Sequence, residues 1–133
     1  MLRYLEHDEV LVIHARILDK TGGMHGLRDT HLFASMMNRP QMAMGGKDLY
    51  PTLFDKAAAY FESCAFHHMF VDGNKRTAIA LATRFLYLND YDIQTSNKII
   101  EVFVLEAVTK KLSLSVIAAW FRKHSKKMSR KSR

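Results

Sequence analysis

From His67 to Thr77 the chain reads His-His-Met-Phe-Val-Asp-Gly-Asn-Lys-Arg-Thr. An imidazole, a carboxylate, a carboxamide, an ammonium and a guanidinium therefore fall within a few residues of one another. Gly73 permits a sharp turn with positive φ. Asn74 is a favoured N-cap type, so the pattern predicts a helix starting there. The first turn of such a helix offers free backbone N–H groups and the positive end of its dipole, which together suit an anion. Lys75 and Arg76 oppose that dipole, and a negative partner would account for them. Asp72 could hold a divalent cation against bound phosphates. An imidazole just ahead of the cradle is placed to accept a proton from an attacking hydroxyl. The chemistry these residue types support is a nucleotide-phosphate site with its own base. Any one of them alone would more often belong to a solvated turn; the combination favours the site.

The elements on either side must position this loop. Pro51 suits the first turn of a helix. From there Phe54, Ala58, Phe61, Ala65 and His68 follow steps of four and three, which stacks them on one face. His68 is then expected to emerge at the helix end from the inward side, with His67 turned about 100° away. This spacing selects His68 over His67 as the working imidazole. The helix from Asn74 to about Leu88 is apolar round most of its circumference, as expected for a helix surrounded by others. Asn89-Asp90 closes it, and Asp92 is expected in the turn that follows.

The rest of the chain reads as helices joined by short connections. Residues 8–20 place Val10, Ile13 and Ile17 at helical spacing, with Leu11 and Leu18 broadening the face, Asp8 as N-cap and Gly22-Gly23 as terminator. His14 falls on that face, where a hydrogen-bonded structural role is expected. Residues 29–38 form a short helix capped by Asp29, with Leu32, Phe33, Met36 and Met37 inward and Arg39-Pro40 ending it. Residues 40–50, with Gly45-Gly46, read as an irregular loop or short hairpin. Residues 96–110 put Ile99, Ile100, Phe103, Val104 and Ala107 on one face. Residues 113–123 do the same with Leu114, Ile117, Ala118 and Phe121, and Ser96 and Ser113 serve as caps. The fold class expected is all-α: a single compact bundle of about six helices around a central apolar helix, with a short flap before the third.

The net charge of +7 is unevenly placed. Residues 1–121 hold 13 basic and 13 acidic side chains and cancel; all of the excess lies in residues 122–133, which have no acid. The reading is a helical domain over 1–121 and a flexible basic tail over 122–133, which could touch nucleic acid. Cys64 is the only cysteine, so no internal disulfide forms and a reducing cytoplasm is the expected compartment. Its position on the helix before the loop makes it a core residue. The N-terminus lacks the apolar run of a signal peptide.

His68-Met69-Phe70-Val71-Asp72-Gly73-Asn74-Lys75-Arg76-Thr77 resembles the signature loop of the Fic/Doc family, His-x-Phe-x-(Asp/Glu)-Gly-Asn-x-Arg, and most of all its Doc (death-on-curing) toxin branch. The likeness continues through Gly26-Leu27-Arg28-Asp29, Arg39-Pro40-Gln41 and Asp48-Leu49-Tyr50-Pro51-Thr52-Leu53-Phe54, and so covers most of residues 4–121. Three departures bear on the chemistry. Fic enzymes that transfer AMP have Gly where this chain has Lys75, a second Arg where it has Ile79, and Pro where it has Met69. Lys75 with Ile79 matches the Doc pattern.

The resemblance therefore implies transfer of the γ-phosphoryl group of ATP, or another nucleoside triphosphate, to a protein hydroxyl. By similarity to Doc the acceptor is a threonine of elongation factor Tu, and the outcome is arrest of translation. In that scheme His68 is the base. Asp72 positions Mg²⁺ and helps orient His68 or the target. Gly73, Asn74, Lys75 and Arg76 bind the nucleotide, and the segment before the third helix is a flap that guides the target. The self-restraining (Ser/Thr)-x-x-x-Glu-(Gly/Asn) helix of some Fic proteins is absent from the sequence, so restraint is expected in trans, from a Phd-type antitoxin. The alternatives are AMP transfer to a protein hydroxyl, and a non-catalytic module that binds an antitoxin or nucleic acid.

Overall fold

Two antiparallel helices of fifteen residues each, α3 (Leu53–His67) and α4 (Asn74–Leu88), form the centre of the protein in a computed structural model that describes residues 1–129. Around them lie α1 (His7–Thr21), α2 (Thr30–Asn38), α5 (Asn97–Thr109) and α6 (Leu114–His124). The all-α architecture expected from the periodicity is the one observed. The expectation of one central helix is widened to two: Ala57 to Phe61, Cys64 and Ala65 of α3 are as completely buried as Ala78, Leu81, Ala82, Phe85 and Leu86 of α4. Alanines on both helices let the two backbones approach closely.

Helix α1 starts two residues earlier than a cap at Asp8 would give. Glu6 is the N-cap and pairs reciprocally with Glu9 in a capping box, so Asp8 lies within the first turn and does not cap. The inward stripe is Val10, His14 and Leu18, while Leu11 is 41% exposed. Ile13 and Ile17, expected on the inward face, are only half-buried, and the centre of the buried stripe carries a histidine. Gly22, at φ 88°, ends α1 as expected. Asp29 caps α2 by accepting the Leu32 N–H at 2.9 Å.

After a 3-10 turn at Arg39–Gln41, residues 40–50 contain a true hairpin, β1 (Ala43–Met44) against β2 (Lys47–Asp48). Gly45 and Gly46 both adopt positive φ, as a two-residue turn of this hand requires. Both ends of the hairpin are tied to α3. The Arg39 guanidinium donates to the Tyr50 hydroxyl at 2.7 Å, to Ser63 Oγ at 3.0 Å and to Glu62 at 2.6 Å. The buried Lys56 ammonium donates to the Pro40 carbonyl at 3.0 Å and lies 3.5 Å from the Asp48 carboxylate. Pro51 precedes the Thr52 N-cap and so stands outside the first turn of α3, where it was expected.

Three features depart from the expected C-terminal half. Asp92 lies in a strand, β3 (Tyr91–Ile93), instead of a turn. The boundary placed after residue 121 falls inside α6, and Ser125–Lys127 form β4, antiparallel to β3 with Asp92 opposite Lys126. The Gln94 N–H bonds the His124 carbonyl at 2.8 Å and the Met128 N–H bonds that of Asp90 at 2.7 Å. Pairing with a distant strand orders a lysine-rich stretch that has no strand propensity of its own. The last four residues of the basic segment, 130–133, lie outside the described residues. On α5, Ile99 is 46% exposed, and burial falls on Phe103 and Ala107, with Phe103 stacked on Trp120 at 4.0 Å. No helix among the described residues is long and apolar enough to cross a membrane.

Candidate active site

The connection from α3 to α4 is held on three sides. Toward residues 26–29, the Met69 carbonyl accepts the N–H groups of Arg28 at 2.7 Å and Asp29 at 3.0 Å, and the Val71 N–H donates to the Gly26 carbonyl at 3.0 Å. The Arg28 guanidinium reaches the His68 carbonyl at 2.8 and 2.6 Å, placing a cation on the negative end of α3. Toward α4, the Asn74 side chain closes the loop on itself: its Oδ1 accepts the Phe70 N–H at 3.0 Å and its Nδ2 donates to the Phe70 carbonyl at 2.9 Å. Toward α1, His14 Nε2 lies 2.8 Å from the Asp72 carbonyl and its ring stacks on Phe70 at 3.8 Å.

These ties set the positions of the residues singled out by type. His68, Asp72, Gly73, Asn74, Lys75 and Arg76 all line one cleft of about 310 Å³ at the start of α4, together with Val71. His68 gets there by a different route from the one its spacing predicted. Helix α3 ends at His67, and His68 is its C-cap, in the left-handed region at φ 52° and ψ 51°. Helical phase therefore does not aim its imidazole; the reversal of the chain does. The ring is exposed and has no hydrogen-bond or ion-pair partner among the described residues.

Gly73, and not Asn74, is the N-cap of α4, at φ 77°. The positive φ favours glycine here, and a Cβ at this position would sit 2.8 Å from the Leu18 Cδ2 methyl, which would have to shift. The first intrahelical bond runs from the Thr77 N–H to the Gly73 carbonyl at 2.9 Å. The amides of Asn74, Lys75 and Arg76 are thus left as donors at the helix start. With its carboxamide occupied by Phe70, Asn74 can offer a ligand only its backbone N–H. The Lys75 ammonium is exposed and has no partner among the described residues. The Arg76 guanidinium, also exposed, rests on the Thr21 hydroxyl.

The Asp72 carboxylate accepts the Met24 N–H through Oδ2 at 2.8 Å, and Oδ1 has no hydrogen-bond partner among the described residues. No group of three or more His, Cys, Asp or Glu side chains among the described residues could hold a metal by itself. A divalent ion at Asp72 would need oxygens from a bound phosphate, the usual arrangement for Mg²⁺. Free amide donors, an unpartnered ammonium and one carboxylate fit a magnesium–polyphosphate and do not fit a bare metal. Cys64, on the buried side of the loop, donates from Sγ to the Asn74 carbonyl at 3.3 Å, and burial pushes its thiol pKa up, so it is not a nucleophile.

Met24 was not picked out from the sequence, Gly23 was read only as a helix terminator, and Arg28 only as part of the family likeness. Their contributions depend on backbone groups meeting across forty or more residues, which no local pattern encodes. The class defined by fold and site is a helical protein with open backbone amides and two exposed cationic side chains at the start of a core helix, and an unpartnered imidazole lining the same cleft. The Fic/DOC family model matches residues 4–86, and the chain belongs to that family. It is 38% identical over 125 residues to Toxin Doc of Mycolicibacterium smegmatis, covering 90% of this chain and 91% of that protein. It is 28% identical over 122 residues to Protein kinase doc of Escherichia phage P1, covering 92% and 95%.

Proposed function

We propose that the protein is the toxin of a toxin–antitoxin pair and acts as a phosphotransferase, moving the γ-phosphoryl group of ATP to a protein hydroxyl. The observation that carries this reading is the unpartnered imidazole of His68 beside an unpartnered Lys75 and the open amides of α4. The names of the two relatives, a toxin and a protein kinase, support the class. Lys75 and Ile79 favour phosphoryl over AMP transfer: Ile79 packs against the core, so no guanidinium projects from that position to orient a triphosphate for attack at its α-phosphorus.

In this mechanism the amides at the start of α4, Lys75 and Arg76 hold the phosphates, with Arg76 exchanging the Thr21 hydroxyl for phosphate oxygen. Asp72 would hold Mg²⁺, which when bound neutralises charge on the phosphates. His68 takes the proton of the target hydroxyl as its oxygen bonds to the γ-phosphorus, and the bond to the ADP oxygen breaks. The flap hairpin, with Met42, Met44 and Leu49 exposed, offers a strand edge and apolar contacts to an extended target segment. By resemblance to Doc the target is a threonine of elongation factor Tu, and restraint comes from a Phd-type antitoxin.

The test is incubation of the protein with bacterial lysate, Mg²⁺ and ATP labelled at either the γ or the α position. Label from the γ position alone, on a translation factor, and its loss in His68→Ala are expected. Label from the α position would establish AMP transfer. Nucleotide binding with no transfer from either would favour a non-catalytic module.

A further inference from the structure

The inward stripe of α1 contains one polar side chain, and it touches the site. His14 is 4% exposed and sits between Val10 and Leu18, a position an apolar residue would fill without cost to packing. Burying an imidazole there is unfavourable unless its polar atoms are used. One is used: Nε2 lies 2.8 Å from the Asp72 carbonyl. A carbonyl only accepts, so Nε2 carries the proton and the ring is a donor. Its face lies on Phe70 at 3.8 Å, with the planes 11° apart. Phe70 is in turn fixed through both backbone groups by Asn74 and through its ring by Phe33. The histidine is therefore clamped against the loop, and the loop against α4.

Asp72 is consequently gripped twice from the α1 side. His14 holds its carbonyl, and the Met24 amide, just past the end of α1, holds carboxylate Oδ2 at 2.8 Å. Gly23 completes the wall, since a Cβ there would come within 3.3 Å of Asp72 Cβ. From this geometry, and resting on the proposed phosphoryl transfer, we infer that His14 is a positioning residue. It fixes the Asp72 backbone so that the carboxylate keeps one oxygen on Met24 and presents the other to a magnesium ion carried by the nucleotide. Burial lowers the pKa of His14, opposed by its bond to Asp72, and the nearby His25 and Arg76 charges lower it further.

Three variants separate donor, stack and bulk. His14→Phe keeps the stack and removes the donor, His14→Gln keeps a donor and removes the stack, and His14→Ala removes both. Outer-shell hydrogen bonds to metal-binding groups are typically worth roughly ten- to hundredfold in metal affinity. Calorimetric titration of Mg²⁺ into the protein with a non-hydrolysable ATP analogue should therefore show a rise of at least about tenfold in the Mg²⁺ needed for half-saturation in His14→Phe. His14→Gln should recover part of it. The apo protein provides a readout that needs no ligand: hydrogen exchange at the Met24 amide should speed up in His14→Phe and less so in His14→Gln. A folded His14→Phe with wild-type Mg²⁺ dependence and wild-type exchange at Met24 overturns the inference. If the wild type binds no magnesium–nucleotide, the phosphotransfer reading fails, and Met24 exchange still decides whether His14 positions Asp72.

Discussion

Asn74 offers a direct test of whether this loop is built as the structure indicates. By residue type it reads as a helix cap and phosphate ligand; in the fold its carboxamide is spent on both backbone groups of Phe70, at 3.0 and 2.9 Å, and it is 8% exposed. Asn74→Ala strands a buried donor and a buried acceptor. Each costs about 1–3 kcal/mol, so the loss is about 2–6 kcal/mol from a total stability on the order of 5–15 kcal/mol. Asn74→Asp is the sharper variant. It keeps an acceptor for the Phe70 N–H but turns a carboxylate oxygen toward the Phe70 carbonyl, so it is expected to lose a similar amount despite its near-identical shape. Urea unfolding at constant m-value measures both, and hydrogen exchange at the Phe70 amide localises the effect. If both variants stay within about 0.5 kcal/mol of wild type, well below the loss of even one buried partner, and lose only nucleotide affinity, then Asn74 is a ligand and the loop-closing role is refuted.

Gly73→Ala should cost about 1–2 kcal/mol for the left-handed backbone and about 1–3 kcal/mol more for the contact with Leu18. Combined with Leu18→Ala the contact part should disappear, giving a double-mutant cycle non-additive by about 1 kcal/mol or more; additivity within about 0.3 kcal/mol would reject the clash. The depressed pKa of His14 also has a sign that can be measured. Below its ordinary value near 6.5 the unfolded chain binds a proton that the folded protein resists, so stability rises with pH through that window. The contribution is intact above about 6.5 and is lost as pH falls. Urea midpoints followed from about pH 7 down to about pH 5 should decline less steeply in His14→Phe than in wild type; parallel slopes would contradict the assignment.

Much was legible in local pattern. Helical periods placed all six helices to within a few residues, because each has an apolar stripe and most have a side-chain cap that competes with no other structure. The residues lining the cleft could be named because they are contiguous: one loop and one helix start bring them together whatever the rest of the chain does. What could not be read were the contacts made by backbone groups across long separations. The strand at Ser125–Lys127 exists because Tyr91–Ile93 presents unpaired amides to it, and nothing in a run of lysines announces that partner.

The composition of the site, its cations, its carboxylate and its imidazole, was thus determined by sequence alone. Tertiary structure decided what each group is free to do. Asn74 is consumed in closing the loop, whereas Lys75 and the His68 ring have no protein partner among the described residues. Asp72 has one oxygen committed to Met24 and its backbone committed to His14. The physical reason is that a buried polar group must find a partner wherever the fold puts one, and the groups left unpaired afterwards are those available to a ligand.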